Sequence, residues 1–262
     1  MSTEPVIVTR DDSGEIATVA LNNPERLNAL GKPSWERLGV TMRALSADNT
    51  LRCVVLRGTG DKAFAAGADI AEFASERADS KQAKIYGSLI HDTLQAVASC
   101  RHPTIAMIKG ACVGGGLEIA ACCDVRICGK SSSFGVPINK LGLTMGYGEL
   151  AGLLALAGRA VALEILLEGR VFDAAEALQK RLVNRVVPDD QVEPEAYATA
   201  QRIAEGAPLV ARWHKQFIER LTVQAQIDPN EWDEGFACFD TVDCRAGVDA
   251  FLAKKPPQFK AK

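Results

Sequence analysis

An α/β fold with a helical C-terminal portion is predicted by three features of the 262-residue chain. Short apolar runs alternate with helix-period segments through the first half, helical patterns dominate the second, and hydrophobic residues make up 47% of the whole. That apolar content suits one large core with a smaller attached piece. The expected division is a core over residues 1–200 and a helical region over 201–262.

Residues 6–8 and 16–21 read as strands of a hairpin that turns through Asp11-Asp12-Ser13-Gly14. Asn22-Asn23-Pro24 breaks the chain. A helix is expected over 33–47, where Trp35, Leu38, Met42 and Leu45 fall on one face. A buried strand at 53–56 leads into a loop over 58–69 that holds three glycines. A helix over 81–99 and a strand over 105–108 precede a glycine-rich loop at 110–116, which opens a short helix. After a strand at 125–127, helices are expected at 150–157, 160–167 and 174–181, the last capped by Asp173. A strand-like stretch at 183–187 interrupts them. Helix resumes near 194 and ends before Pro256-Pro257, whose nitrogens carry no proton to donate.

Composition narrows the function. Thirty basic against 33 acidic residues give a net charge of −3, which offers no basic surface for nucleic acid. The start, Met1-Ser2-Thr3-Glu4-Pro5, is polar and lacks the apolar run of a signal peptide. Glu149, Arg159 and Glu164 cut the longest apolar segments, so no membrane span is expected. The eight cysteines form no CxxC pair, and several lie in apolar segments such as Ala120-Ala121-Cys122-Cys123. They read as buried, reduced thiols of a cytoplasmic protein. The three histidines are not spaced for a metal, and no metal or redox cofactor is expected.

The chemistry concentrates in two loops and one carboxylate. Ala63-Phe64-Ala65-Ala66-Gly67-Ala68-Asp69-Ile70 uses small residues that let a ligand approach the backbone. Gly110 to Gly116 lies between strand and helix, where unpaired N–H groups carry partial positive charge. Converging, the two would make a two-donor oxyanion hole. A dinucleotide fingerprint needs Gly-x-Gly-x-x-Gly, and the glycines here stand at 110, 114, 115 and 116. No Gly-Lys-Ser/Thr follows, so a phosphate loop fails too. Tight helix packing alone is the plain alternative for the triplet.

Ala66-Gly67-Ala68-Asp69-Ile70 and Gly114-Gly115-Gly116-Leu117-Glu118, followed by Cys123-Asp124, resemble the two signature segments of the enoyl-CoA hydratase/isomerase (crotonase) family. Pro24-Glu25-Arg26-Leu27-Asn28-Ala29-Leu30 resembles its early segment. Phe134-Gly135-Val136-Pro137 with Leu141-Gly142-Leu143 resembles its centre, and Ala250 to Lys255 with Phe259 its tail. The resemblance implies a crotonase-like spiral of strand-strand-helix units and a C-terminal region that assembles a homotrimer or a dimer of trimers. It implies an acyl-CoA thioester as partner, with coenzyme A part of the substrate and no separate cofactor. Carried over by position, the oxyanion amides are those of Ala68 and Gly115. Ala66, Asp69 and Ile70 would face the adenine, with Gly114 and Ile138 in the substrate site. Arg26, Lys62, Lys255 and Phe259 are further candidates at the CoA end, solvated surface charge being the favoured reading of the three cations.

Glu118 reads either as a helix-dipole carboxylate or as an acid/base, the role of one of two glutamates in the family's hydratases. The second glutamate falls 20 positions later, where this chain has Ile138. Standard hydration is thereby put in question. One carboxylate suffices to move a proton between carbons through a dienolate. Glu149, after Gly146-Tyr147-Gly148, is either a relocated acid/base or a helix N-terminal charge. Tyr147 is read as packing or as a hydrogen-bond donor to substrate, and Asp69 and Asp124 as caps or backbone acceptors. The acyl pocket's shape depends on residues 71–80, which read as mobile. Isomerisation or atypical hydration therefore leads, against decarboxylation or thioester hydrolysis in the same hole, and against a non-catalytic acyl-CoA-binding protein. A serine hydrolase lacks its Gly-x-Ser-x-Gly elbow here.

Overall fold

The computed structural model describes residues 4–223, 226–229 and 231–262. Strands β1 (Val6–Arg10) and β2 (Ile16–Leu21) form the expected antiparallel hairpin. Helix α1 (Lys32–Ala47) follows and buries Trp35, Leu38, Met42 and Leu45, the face that periodicity marked. Then the chain repeats one move. β3 (Cys53–Gly58) passes directly into β4 (Ala63–Ala65), and α2 (Phe73–Glu76) with α3 (Ser80–Ala98) returns it. β5 (Thr104–Ile108) passes into β6 (Ala111–Val113), and α4 (Gly115–Ala121) returns it. β7 (Val125–Gly129) passes into β8 (Ser133–Gly135), and α5 (Tyr147–Glu168) follows. β9 (Val171–Asp173), α6 (Ala174–Gln179) and β10 (Arg185–Val187) close the spiral.

The first strand of each unit joins a six-stranded sheet of order β1-β2-β3-β5-β7-β10, parallel from β2 onward. The second joins a four-stranded sheet of order β4-β6-β8-β9, parallel through β8. Strands buried on both faces need continuous apolar runs, and Cys53-Val54-Val55-Leu56 is fully buried. One face of the large sheet packs the main core with α1 and α3. The other holds Ile16, Val55, Ile105, Met107 and Ile127 against α7 (Val192–Ala204). Residue 200, the expected division, lies inside α7, and the chain turns away only at 205–207. Beyond it come α8 (Pro208–Val223), a 3-10 turn at Trp232–Asp240 and α9 (Val242–Leu252).

Three expectations are corrected. Residues 63–65 and 111–113, read as loop, are strands of the small sheet. Residues 71–80 form helical turns with definite anchors. Asp69 accepts from the Ala71 N–H at 3.1 Å, Glu72 Oε2 accepts from the Lys32 N–H at 2.8 Å, and Lys32 pairs with Glu76 at 2.9 Å. Finally, α5 has the length and composition of a membrane-crossing helix, contrary to the sequence reading. Gly158, at φ 72 and ψ 170, kinks it near the gap expected between two helices. Each half is then roughly 15 Å long, against about 30 Å of bilayer hydrocarbon.

Candidate active site

Because β4, β6 and β8 are parallel neighbours, the segments leaving their C-terminal ends emerge side by side. Those segments are Ala66 to Asp69, Gly114-Gly115 and Val136 to Ile138. Ligands of parallel sheets bind at such ends. Here they border a cavity of about 580 Å³.

The loops touch through glycine. Gly67 sits at φ 108 and Gly114 at φ 52, conformations that side chains resist. A Cβ at Gly114 would lie 3.5 Å from the Gly67 Cα. The early segment fixes the first loop. The Leu30 N–H donates to Gly67 O at 2.8 Å, and the Asp69 N–H donates to Leu30 O at 3.0 Å. Buried Asn28 donates to Ala63 O at 2.8 Å. Between these bonds the Ala68 N–H donates to no acceptor among the described residues. The Gly115 N–H, first in α4, has no carbonyl four residues back to receive it. A Cβ at Gly115 would meet Leu30 Cδ1 and Trp35 Cζ2 at 2.9 Å, so the helix start is pressed against α1. Ala68 and Gly115 both line the cavity.

Glu118 stands one turn further along α4 and also lines the cavity, 8% exposed. Its carboxylate accepts no hydrogen bond among the described residues. Burial pushes its pKa up to about 8, and the Glu149 charge adds to the rise, while Arg77 opposes it. The group is therefore mostly protonated at neutral pH.

Glu149 lines the same cavity. It is also the helix-terminal charge expected, since Glu149 Oε2 accepts from the Gly146 N–H at 2.7 Å at the start of α5. Ile138 occupies the wall below Pro137 and brings no proton-transfer group. Ala66, Ile70 and Gly114 line the cavity too.

Asp69 sits on the rim and works structurally, capping the 3-10 turn at Ile70–Glu72 and pairing with Arg26 at 2.5 Å. Arg26 is thereby held beside the cavity without lining it. Lys62 is exposed and away from the cavity lining. Lys255 and Phe259 are not brought to it within this chain. Phe259 packs towards Gly247, and its carbonyl accepts from Arg52 Nη2 at 2.8 Å. Tyr147 is 94% exposed, so it neither packs nor faces the cavity. Asp124 accepts from the Thr104 N–H and from Lys215, the structural part expected.

Sequence reasoning missed several lining residues, Trp35, Phe73, Arg77 and Gly87 among them. Trp35 was assigned to the core alone; it also forms the cavity wall, and its indole Nε1 has no protein acceptor. Phe73 and Arg77 lie in the segment read as mobile, and Gly87 lies on α3. Phe73 and Tyr86 stand four and nine residues from Arg77, separations that carry no signal in the sequence. Only the fold shows that both rings clasp it.

A family model described as enoyl-CoA hydratase/isomerase matches residues 11–262. A crotonyl-CoA hydratase of Syntrophomonas wolfei is 32% identical, covering 100% of both chains. A short-chain-enoyl-CoA hydratase of Clostridium acetobutylicum is 32% identical over 95% of each. Among solved structures, an enoyl-CoA hydratase/carnithine racemase from Magnetospirillum magneticum is 51% identical with a TM-score of 0.97, covering 100% of this chain and 97% of that one.

Proposed function

The chain belongs to the enoyl-CoA hydratase/isomerase family, and from that premise we propose that it is an acyl-CoA enzyme working through a thioester enolate. One observation carries this: two backbone N–H groups without acceptors, Ala68 and Gly115, share a cavity with a buried, proton-holding Glu118. The thioester oxygen sits between the two amides. Charge grows on that oxygen as the α-carbon loses or gains a proton, and preorganised donors act where charge develops. Glu118 moves the proton.

The double-bond shift of a 3-enoyl thioester needs no second acid. Glu118 takes the α-proton, the dienolate rests on the two amides, and Glu118 returns the proton to the γ-carbon. Hydration is the second reading, favoured by the presence of Glu149 in the same cavity. With Ile138 where a second glutamate is expected, Glu149 would orient the water. The assembly proposed is a homotrimer or a dimer of trimers, built through the helical C-terminal region.

Incubation with crotonyl-CoA and with a 3-enoyl-CoA, followed by absorbance and mass, tests the reading. A double-bond shift without added mass identifies the isomerase. Gain of one water identifies a hydratase and makes Glu149 the partner. Binding of both without change to either would leave decarboxylation or simple acyl-CoA binding in its place.

A further inference from the structure

Resting on the acyl-CoA reading above, the geometry points to Arg77 as a specificity residue that selects acyl chains bearing a carboxylate at the end remote from the thioester. Arg77 lines the cavity. Its guanidinium carbon lies 3.8 Å from the Tyr86 ring centroid and 4.7 Å from that of Phe73. The rings hold the planar group in place. Its Nε and Nη2 are shut away from solvent and donate to no protein acceptor. No carboxylate pairs with it among the described residues. Arg26, at the rim, has Asp69 at 2.5 Å, and Arg220 has Glu234 at 3.0 Å. Among the described residues Arg77 is the one lysine or arginine that lines the ligand cavity.

Its place is the acyl side. Arg77 acts electrostatically on Glu118, the group assigned to the reacting carbon, whereas the rim pair Arg26–Asp69 does not. The neighbouring α3 wall offers Ala83 and Gly87, and no atom stands within 4 Å of a Cβ built at Gly87. There is room for a chain to pass towards the guanidinium. A plain alkyl end would leave buried charged donors unpaired, which is costly. A carboxylate matches the guanidinium fork with two parallel bonds. Ile138, Leu141 and Leu143 supply apolar contact between the two charged ends.

The test uses unreactive saturated thioesters, so that binding is read apart from turnover. Glutaryl-CoA is butyryl-CoA with a carboxylate added at the chain end. Calorimetric titration of the full-length protein should give glutaryl-CoA the tighter binding by about tenfold or more, the scale of a charge-assisted pair. In Arg77→Met the ratio should fall to near one. In Arg77→Lys, which keeps the charge and loses the fork, it should be intermediate, and this variant serves if Arg77→Met does not fold. Equal affinities in the unaltered protein, a preference for butyryl-CoA, or a preference that survives in Arg77→Met overturns the inference and leaves the acyl-CoA reading standing. Failure of both thioesters to bind overturns both.

Discussion

Glu118 is the residue on which the chemistry turns, and its setting makes it measurable in two ways. Its folded pKa is raised from 4.5 to about 8 by burial and by Glu149. Between those values the folded state holds a proton that the unfolded state releases, so stability falls as pH rises through this window. Below 4.5 the penalty is absent, and above about 8 it is fully present. Glu118→Gln, which cannot ionise, should therefore gain stability over the unaltered protein with rising pH. The gain should reach a few kcal/mol by pH 8, each pKa unit being worth about 1.4 kcal/mol. Thermal melts at pH 5 and pH 8.5 check this, and a gap that does not widen contradicts it. Catalysis titrates in the opposite sense. Removing an α-proton needs the ionised form, so isomerisation should speed up as pH approaches 8. A hydration in which Glu118 delivers the α-proton should slow over the same range. Turnover should be lost in Glu118→Gln, by two or more orders of magnitude on the usual scale of acid–base catalysis. Glu118 was legible from its place after three glycines. The rise in its pKa was not, because burial and helix dipole oppose each other and only the packed structure weighs them.

The element that positions this chemistry is the start of α4, held close to β4 by the absence of side chains. A Cβ at Gly116 would strike the Ala65 carbonyl oxygen, which is backbone and unable to yield. Gly116→Ala should cost about 3 kcal/mol, at the upper end for overpacking, and should lower turnover by tilting the Gly115 amide. A denaturation midpoint equal to that of the unaltered protein would contradict this close packing. The long elements were readable in the sequence: α1, α3 and the hairpin appear within a residue or two of their expected bounds. The short strands β4 and β6 were not. Three residues carry no detectable period, and their small side chains resemble a loop. Yet these strands, with β8, bring Ala68, Gly115 and Ile138 to one edge. The residues of the site could be named in advance, but their convergence rested on resemblance rather than on pattern. Arg77 stayed hidden because no regular pattern runs through 71–80, and its role comes from two rings that flank it only in three dimensions.

At the scale of the molecule, the spiral encloses its core while the C-terminal region leaves apolar surface open. Trp232 is 67% exposed, Phe239 68% and Phe251 84%. A further groove of about 870 Å³ runs between α3, α5 and α8, lined by Leu94, Ala155, Leu156, Val210 and Ile218. Large exposed apolar patches on a folded chain mark contact surfaces. Sedimentation should find three or six chains together. Replacing Trp232 and Phe251 by Asp should shift the assembly towards single chains, and a monomer at micromolar concentration in the unaltered protein would contradict the assembly proposed. The large sheet and α7 do not depend on that contact, because their residues are buried within one chain. Single chains are therefore expected to keep their secondary structure.

The central claim is that Glu118 moves a proton at the α-carbon of a bound thioester while two amides hold the enolate. Turnover of crotonyl-CoA and of a 3-enoyl-CoA in deuterium oxide, read by mass, tests it most directly. Hydration should place a solvent deuterium at the α-carbon, isomerisation should carry the substrate's own α-proton to the γ-carbon except where Glu118 exchanges with solvent first, and both products should form more slowly in Glu118→Gln by about a hundredfold or more. A hydration product without deuterium, or either product formed at an undiminished rate by Glu118→Gln, would contradict it.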